Sequence, residues 1–267
     1  MPRAFWKGAI SFGMVVIPVK MYVATESRAI SFHLLHKKCL TRPRQVLYCE
    51  LDNEYFGVKD TVRGYEYAKG QFVVLTESDF EKVPIRTNHT IDIMGFVRAS
   101  EIDPVYYYDS HYLEAEAIGL KPYSLLREVL KKTGRVGIAK VSFQKREHLC
   151  SVEPREDILV LHTIHYSYEV RPVGELAPPR QELSASEMEM ASALVNAMTR
   201  DFTPADYRDD YREALEKVIE AKVQGREVTA PKPVTVEIPD LMAALRASIE
   251  AAQSRQAAPA ASTAAKG

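Results

Sequence analysis

Three groupings of residues in this chain could carry chemistry. His33, His36 and Cys39 recur at three-residue intervals, with Cys49 further along. These donor types bind zinc where a loop gathers four of them. Paired C-x2-C spacings are absent, however, and on a strand His33 and His36 would point to opposite faces. Packed or surface histidines are the expectation, for His162 and His165 as well. The second grouping is Glu101, Asp103 and Asp109, acids that a metal-dependent nuclease could use. Their spacing matches no defined ligand set, and Glu101-Ile102-Asp103-Pro104 is as readily a strand-to-turn signal. Phosphate-cradling glycine motifs and the G-x-S-x-G elbow are missing. A metal-dependent nucleic-acid-processing enzyme built on these groups is therefore the alternative reading. The expectation is a protein that is not an enzyme and has no metal or cofactor.

The third grouping is basic, and the net charge of −1 conceals it. From Met1 to Cys49, eight Lys and Arg stand against Glu26 alone, a net +7. From Lys121 to His148, eight stand against Glu128 and Glu147, a net +6. The acids concentrate in Glu50–Leu120 and Leu149–Ala230. Such segregation gives one face that attracts phosphate and another that stays acidic and solvated. Cys39, Cys49 and Cys150 are too few for a disulfide framework. The chain has no apolar run long enough to span a bilayer and no signal peptide pattern. A cytoplasmic protein without a membrane partner is expected.

The elements that must position these groups are mostly strands. Phe5–Ala24 reads as two strands around a turn, being β-branched and aromatic and punctuated by Gly8, Gly13 and Pro18. Further strands are expected at Ala29–Leu35, Gln45–Glu50, Gln71–Leu75, Thr90–Val97, Val105–Tyr108, Val136–Phe143 and Ile158–Tyr166. Short strands at this spacing predict a β-barrel over the first two-thirds of the chain. Pro122 opens a helix within it, with Tyr123, Leu126 and Leu130 on one face and Gly134 at its end. Ser184 and Glu187 form a capping box, followed by an apolar stripe of Met188, Ala191, Leu194, Val195 and Met198. Thr203-Pro204 opens another helix, with Tyr207, Tyr211, Leu215, Val218 and Lys222 along one face and Gly225 closing it. Residues 227–237 read as a linker, 238–254 as a short amphipathic segment, and 255–267 as a disordered tail.

The chain resembles the bacterial Ku proteins. The resemblance is carried by Pro2–Gly13 continuing into Val16–Tyr22, by SFHLLHKKC (Ser31–Cys39) and by Arg63-Gly64-Tyr65-Glu66-Tyr67. EIDPVYY (Glu101–Tyr107), TGRVGIAK (Thr133–Lys140), REHL (Arg146–Leu149) and LVLHT (Leu159–Thr163) extend it. YREALEKVIEAKVQG (Tyr211–Gly225) and IPDLMAALRASI (Ile238–Ile249) complete it. It implies a mixed, mainly β fold over residues 1–226: a barrel core with an inserted helix, a bridge loop and a C-terminal helical arm at about 184–226. Two copies would form a homodimeric ring, each arm wrapped on its partner. The ring would thread onto ends of double-stranded DNA and recruit a multidomain ATP-dependent DNA ligase for non-homologous end joining. A bacterial, nucleoid-associated location in the cytoplasm follows.

A ring that slides onto any end must rely on phosphate contacts rather than base edges. Charge and position then select Lys37, Lys38, Arg42 and Arg44 in the loop that resembles the family's bridge over DNA. Lys145 and Arg146 resemble a basic turn facing the same channel. Lys7, Lys20, Lys131, Lys132 and Arg135 are further candidates. Leu194, Tyr211, Leu215, Val218 and Ile219 are expected at the dimer interface, and Leu241, Met242, Leu245 and Ile249 at the ligase. One departure stands out. Many family members carry a lysine-rich tail, whereas here only Lys266 is charged beyond Arg255.

Overall fold

The computed structural model describes residues 3–83, 89–144, 146–176, 181–226 and 241–257. It divides into two compact units, 1–172 and 173–267. The first unit opens with β1 (Trp6–Phe12) and β2 (Val15–Val23), then β3 (Leu47–Cys49), β4 (Glu54–Phe56), β5 (Arg63–Ala68), β6 (Gln71–Leu75) and a short α1 (Glu77–Glu81). It continues with β7 (Thr90–Arg98), β8 (Tyr107–Ala115), α2 (Leu120–Thr133), β9 (Arg135–Phe143), β10 (Arg146–Arg155) and β11 (Ile158–Ile164). The second contains α3 (Ala185–Met198), α4 (Asp210–Val223) and α5 (Leu241–Ala257).

Seven strands close into a barrel in the order β1-β2-β8-β11-β10-β9-β7. The neighbours run antiparallel except at the seam, where β1 lies parallel to β7 through Ala9↔Thr90, Ile10↔Ile91 and Ser11↔Asp92. Closure demands a glycine here. A Cβ on Gly8 would run into the His89 carbonyl and the Trp6 ring. Alternation then turns one side chain in two inward, so Ile10, Ile17, Val19, Met21, Leu113 and Leu161 are fully buried.

Helix α2 contributes Tyr123, Leu126 and Leu130 to the same core. The Tyr123 hydroxyl donates to the Leu113 carbonyl and accepts from the Leu159 N–H, which ties the helix to β8 and β11. Gly134 ends α2 in the left-handed region, at φ 62°, where a side chain would be strained. Pro122 falls in the first turn rather than at its first position.

The stretch between β2 and β7 is built differently. It contains two separate two-stranded sheets, β3-β4 and β5-β6, and every residue of β5 is exposed. Residues 24–36, expected to hold a strand over Ala29–Leu35, are irregular. Their β-branched and aromatic composition finds no neighbouring strand to complete a ladder. β10 runs through Arg146–Arg155 and was not expected; its polar Glu147, Ser151 and Glu153 and its Pro154 mask the pattern. The segment expected as a strand at Val105–Tyr108 begins instead as a 3-10 turn at Pro104–Tyr106, and β8 follows.

In the second unit the Ser184 hydroxyl accepts from the Glu187 N–H at 3.2 Å, and the Glu187 carboxylate accepts from the Ser184 N–H at 2.7 Å. This is the capping box read from sequence. Thr203-Pro204 opens only a 3-10 turn, Pro204–Asp206, which leaves Tyr207 outside the helix. The Asp209 carboxylate instead caps α4 by accepting from the Arg212 N–H at 2.9 Å. α5 runs to Ala257 and packs against α3. Among the described residues no helix is long and apolar enough to cross a membrane.

Candidate nucleic-acid interface

The loop between β2 and β3 is shaped by its own backbone. The His36 N–H donates to the Thr41 carbonyl at 2.9 Å, and the Leu40 N–H donates to the His36 carbonyl at 2.8 Å. This pins a turn at Lys37–Cys39 and holds Leu40 at a positive φ of 55°. Lys37, Lys38, Arg42 and Arg44 project from this turn and its flank, all exposed. Among the described residues none of the four makes a salt bridge. Unpaired cations on one short loop are what a polyanion requires, since each phosphate they neutralise releases condensed counterions.

Cys39 lies inside this cationic turn. Its sulfur sits 2.6 Å from the Thr41 hydroxyl and 3.0 Å from His36 Nδ1. Hydrogen bonds, first from Thr41 and then from His36, hold the exposed thiol down to about 7. Cys49 donates to Asp52 at 3.2 Å. Among the described residues no three His, Cys, Asp or Glu are arranged to hold a metal ion. The acids at 101–109 have local tasks: Glu101 accepts from the Arg98 N–H and Asp103 from the Val105 N–H.

The other basic candidates are placed less openly. Arg146 is held by Glu169 at 2.8 Å, and Glu169 also accepts from the Tyr166 N–H at 2.8 Å. These contacts hold the Glu169 carboxyl below its usual range and raise the Arg146 guanidinium, so much of that charge is already answered. Lys145 lies outside the described residues. Lys7 and Lys20 face each other across β1 and β2, with Lys20 opposite Glu114. Lys131 and Lys132 occupy the last turn of α2, where cations suit the carbonyl end of the helix. Arg135 follows beside Arg98, at the edge of a cleft of about 420 Å³ lined by Phe12, Phe96, Leu125 and Val129. That cleft is apolar and unlike a phosphate channel.

The apolar candidates divide. In α4, Leu215, Val218 and Ile219 are half-buried while Tyr211 is exposed. In α3 the half-buried face is Met190, Ala191, Leu194 and Ala197. Met188, Val195 and Met198, expected on the same stripe, lie outside that face and are exposed. Leu245 and Ile249 of α5 are half-buried; the side chains of Leu241 and Met242, like residues 227–240 and 258–267, fall outside the described set. Sequence reasoning overlooked a further apolar surface between β2 and β7, where Phe32, Leu34, Leu51, Tyr65 and Phe72 are exposed.

Residues 11–198 match the model of the Ku70/Ku80 beta-barrel domain. The chain belongs to the Ku family. A Ku relative named "Non-homologous end joining protein Ku" from Symbiobacterium thermophilum is 43% identical over 96% of this chain and 65% of its own length. Proteins of the same name from Solibacter usitatus and Archaeoglobus fulgidus are each 39% identical. They match over 97% and 93% of this chain and 98% and 99% of their own lengths. The chain thus spans just under two thirds of some Ku relatives, including one from Frankia casuarinae at 64%, and nearly all of others.

Proposed function

We propose that the protein binds the ends of double-stranded DNA as a homodimeric ring, without reading sequence, in non-homologous end joining. Membership of the Ku family carries this reading. The exposed, unpaired Lys37, Lys38, Arg42 and Arg44 supply its chemistry, because phosphate contacts position a protein on DNA without specifying bases. The second copy is supported by unfinished apolar surface. A two-stranded sheet is marginal alone in water, and β5-β6 exposes Tyr65 to 63% and Phe72 to 61%. A closed two-fold contact covers such a surface on both copies at once. Leu194, Tyr211, Leu215, Val218 and Ile219 supply the arm's own share of the dimer contact.

The ligase partner is assigned to α5, through Leu241, Met242, Leu245 and Ile249. Because α5 packs on α3, docking there either displaces α3 or uses the remaining α5 surface. The protein acts in the bacterial cytoplasm on nucleoid DNA and is not itself catalytic. Competition between linear duplex and covalently closed circles of the same sequence tests the central claim. Linear DNA should compete well and circles poorly; equal competition by circles at physiological salt would remove the threading ring.

A further inference from the structure

α5 carries the apolar stripe assigned to the ligase, yet it packs on α3. The half-buried positions mark the faces that meet. They are Met190, Ala191, Leu194 and Ala197 on α3, and Ala244, Leu245 and Ile249 on α5. Each set repeats at i, i+3 or i+4, the spacing of one helix face. The small side chains of Ala191 and Ala197 let the two helix axes come close. On α3 the side bearing Met188, Val195 and Met198 stays exposed, so α5 covers one side of that helix and no more.

What α5 leaves outside is unsuited to docking. Its exposed positions are Ala243, Arg246, Ala247, Ser248, Glu250 and Ala251, all of them small or polar. A helix enters a groove through its apolar side, and here that side is already taken. The cover is shallow, however. No residue of α3 is fully buried, and neither is Leu245 or Ile249. A groove that encloses the stripe removes more apolar area from water than α3 does, and it wins by that difference. Either host serves α5 in the same way, since most helical stability comes from packing an apolar face.

We propose that α3 is an autoinhibitory sheath: it covers the ligase-binding stripe of α5, and the ligase docks by displacing it. Apparent affinity for the ligase then falls in proportion to the fraction of chains whose α5 is uncovered. The same contact keeps an apolar stripe out of water until a partner arrives. The inference rests on the assignment of α5 to the ligase, and its test separates the two.

The full-length protein is followed by hydrogen exchange across α5, residues 241–257, and is titrated with the multidomain ATP-dependent DNA ligase of the same organism. Ala191→Glu places a charge on the covered side of α3. Leu194, which also serves the dimer contact, is left alone. Ala191→Glu should speed exchange in α5 and tighten ligase binding about fivefold or more, the low end of coupling between sites. Val195→Glu, on the exposed side of the same helix, should do neither. Ile249→Asp should release α5 as well but abolish ligase binding, because the stripe itself is spoiled. Binding of blunt duplex by each variant reports that the chain remains folded. A released α5 in Ala191→Glu, with ligase affinity equal to the wild type or weaker, would overturn the proposal and make α3 part of the docking surface. Exchange as fast in the wild type as in Ala191→Glu would overturn it too. If both proteins bound duplex ends and neither bound the ligase, the ligase assignment would fail and this inference with it.

Discussion

The barrel and the stretch it extrudes between β2 and β7 are made of similar residues put to opposite use. In the barrel, Ile10, Ile17, Leu113, Leu159 and Leu161 have no exposed surface, and every strand has a neighbour on each side. Between β2 and β7, Phe32, Leu51, Tyr65 and Phe72 face solvent on elements of at most two strands. The barrel satisfies its own chain; the extruded stretch is apolar without a core to join. Large exposed apolar patches mark surfaces meant for another molecule, so the contrast separates what folds from what assembles.

The comparison breaks first at the core. Leu161→Ala should cost about 2–5 kcal/mol in chemical denaturation, independent of protein concentration. Tyr65→Asp, or Leu215→Asp in the arm, should leave barrel unfolding almost unchanged and split the dimer in sedimentation, because the new charge, exposed at 65 and half-buried at 215, would be fully buried on association. A dimeric, folded Leu215→Asp would remove the arm from the interface.

A smaller effect sharpens the electrostatic side. Replacing Lys37, Lys38, Arg42 and Arg44 together with Ala should weaken duplex binding for every sequence alike. The dependence of log affinity on log salt should flatten by about 0.9 for each phosphate no longer neutralised. Stability should move by no more than about 0.5 kcal/mol, since the loop is exposed. An unchanged salt slope would turn these residues away from DNA.

The smallest effect is chemical. Cys39, held near 7, should react with iodoacetamide along a titration curve centred about there, slowing as pH falls and the thiolate is protonated. Burial pushes the Cys150 thiol far up, so it should stay unmodified until the barrel unfolds. Bound duplex should protect Cys39, flanked as it is by Lys38 and Arg42. Modification of Cys150 at the same rate in native protein would contradict its place in the core.

Much of the barrel was legible because its strands obey local rules. Gly13 and the alternation from Trp6 to Val23 gave the first hairpin, and Gly134 and Ser184 marked helix ends that the structure keeps. β10 was missed because its Glu147, Glu153 and Pro154 dilute the apolar signal that its partners on both sides supply. Ala29–Leu35 misled for the reverse reason: strand-forming residues make a strand only where a neighbour offers hydrogen bonds. Basic residues in the sequence were easy to count, but not their freedom. Only coordinates distinguish the unpaired Lys37 loop from Arg146, answered by Glu169. Phe5, His111 and His148, from strands and segments far apart in the chain, gather around the Phe143 ring in three dimensions alone.

The parallel seam between β1 and β7 has a consequence for how the family's chains can vary. β2 and β7 flank β1, so the chain leaves the barrel after Val23 and returns at Thr90 on strands only two ladder spacings, about 10 Å, apart. Everything between is a cassette plugged into one rim. Doubling the length of such a segment costs only about 0.6 kcal/mol of closure entropy. Evolution, or an engineer, can therefore lengthen, shorten or exchange the cassette while the barrel goes on folding as before.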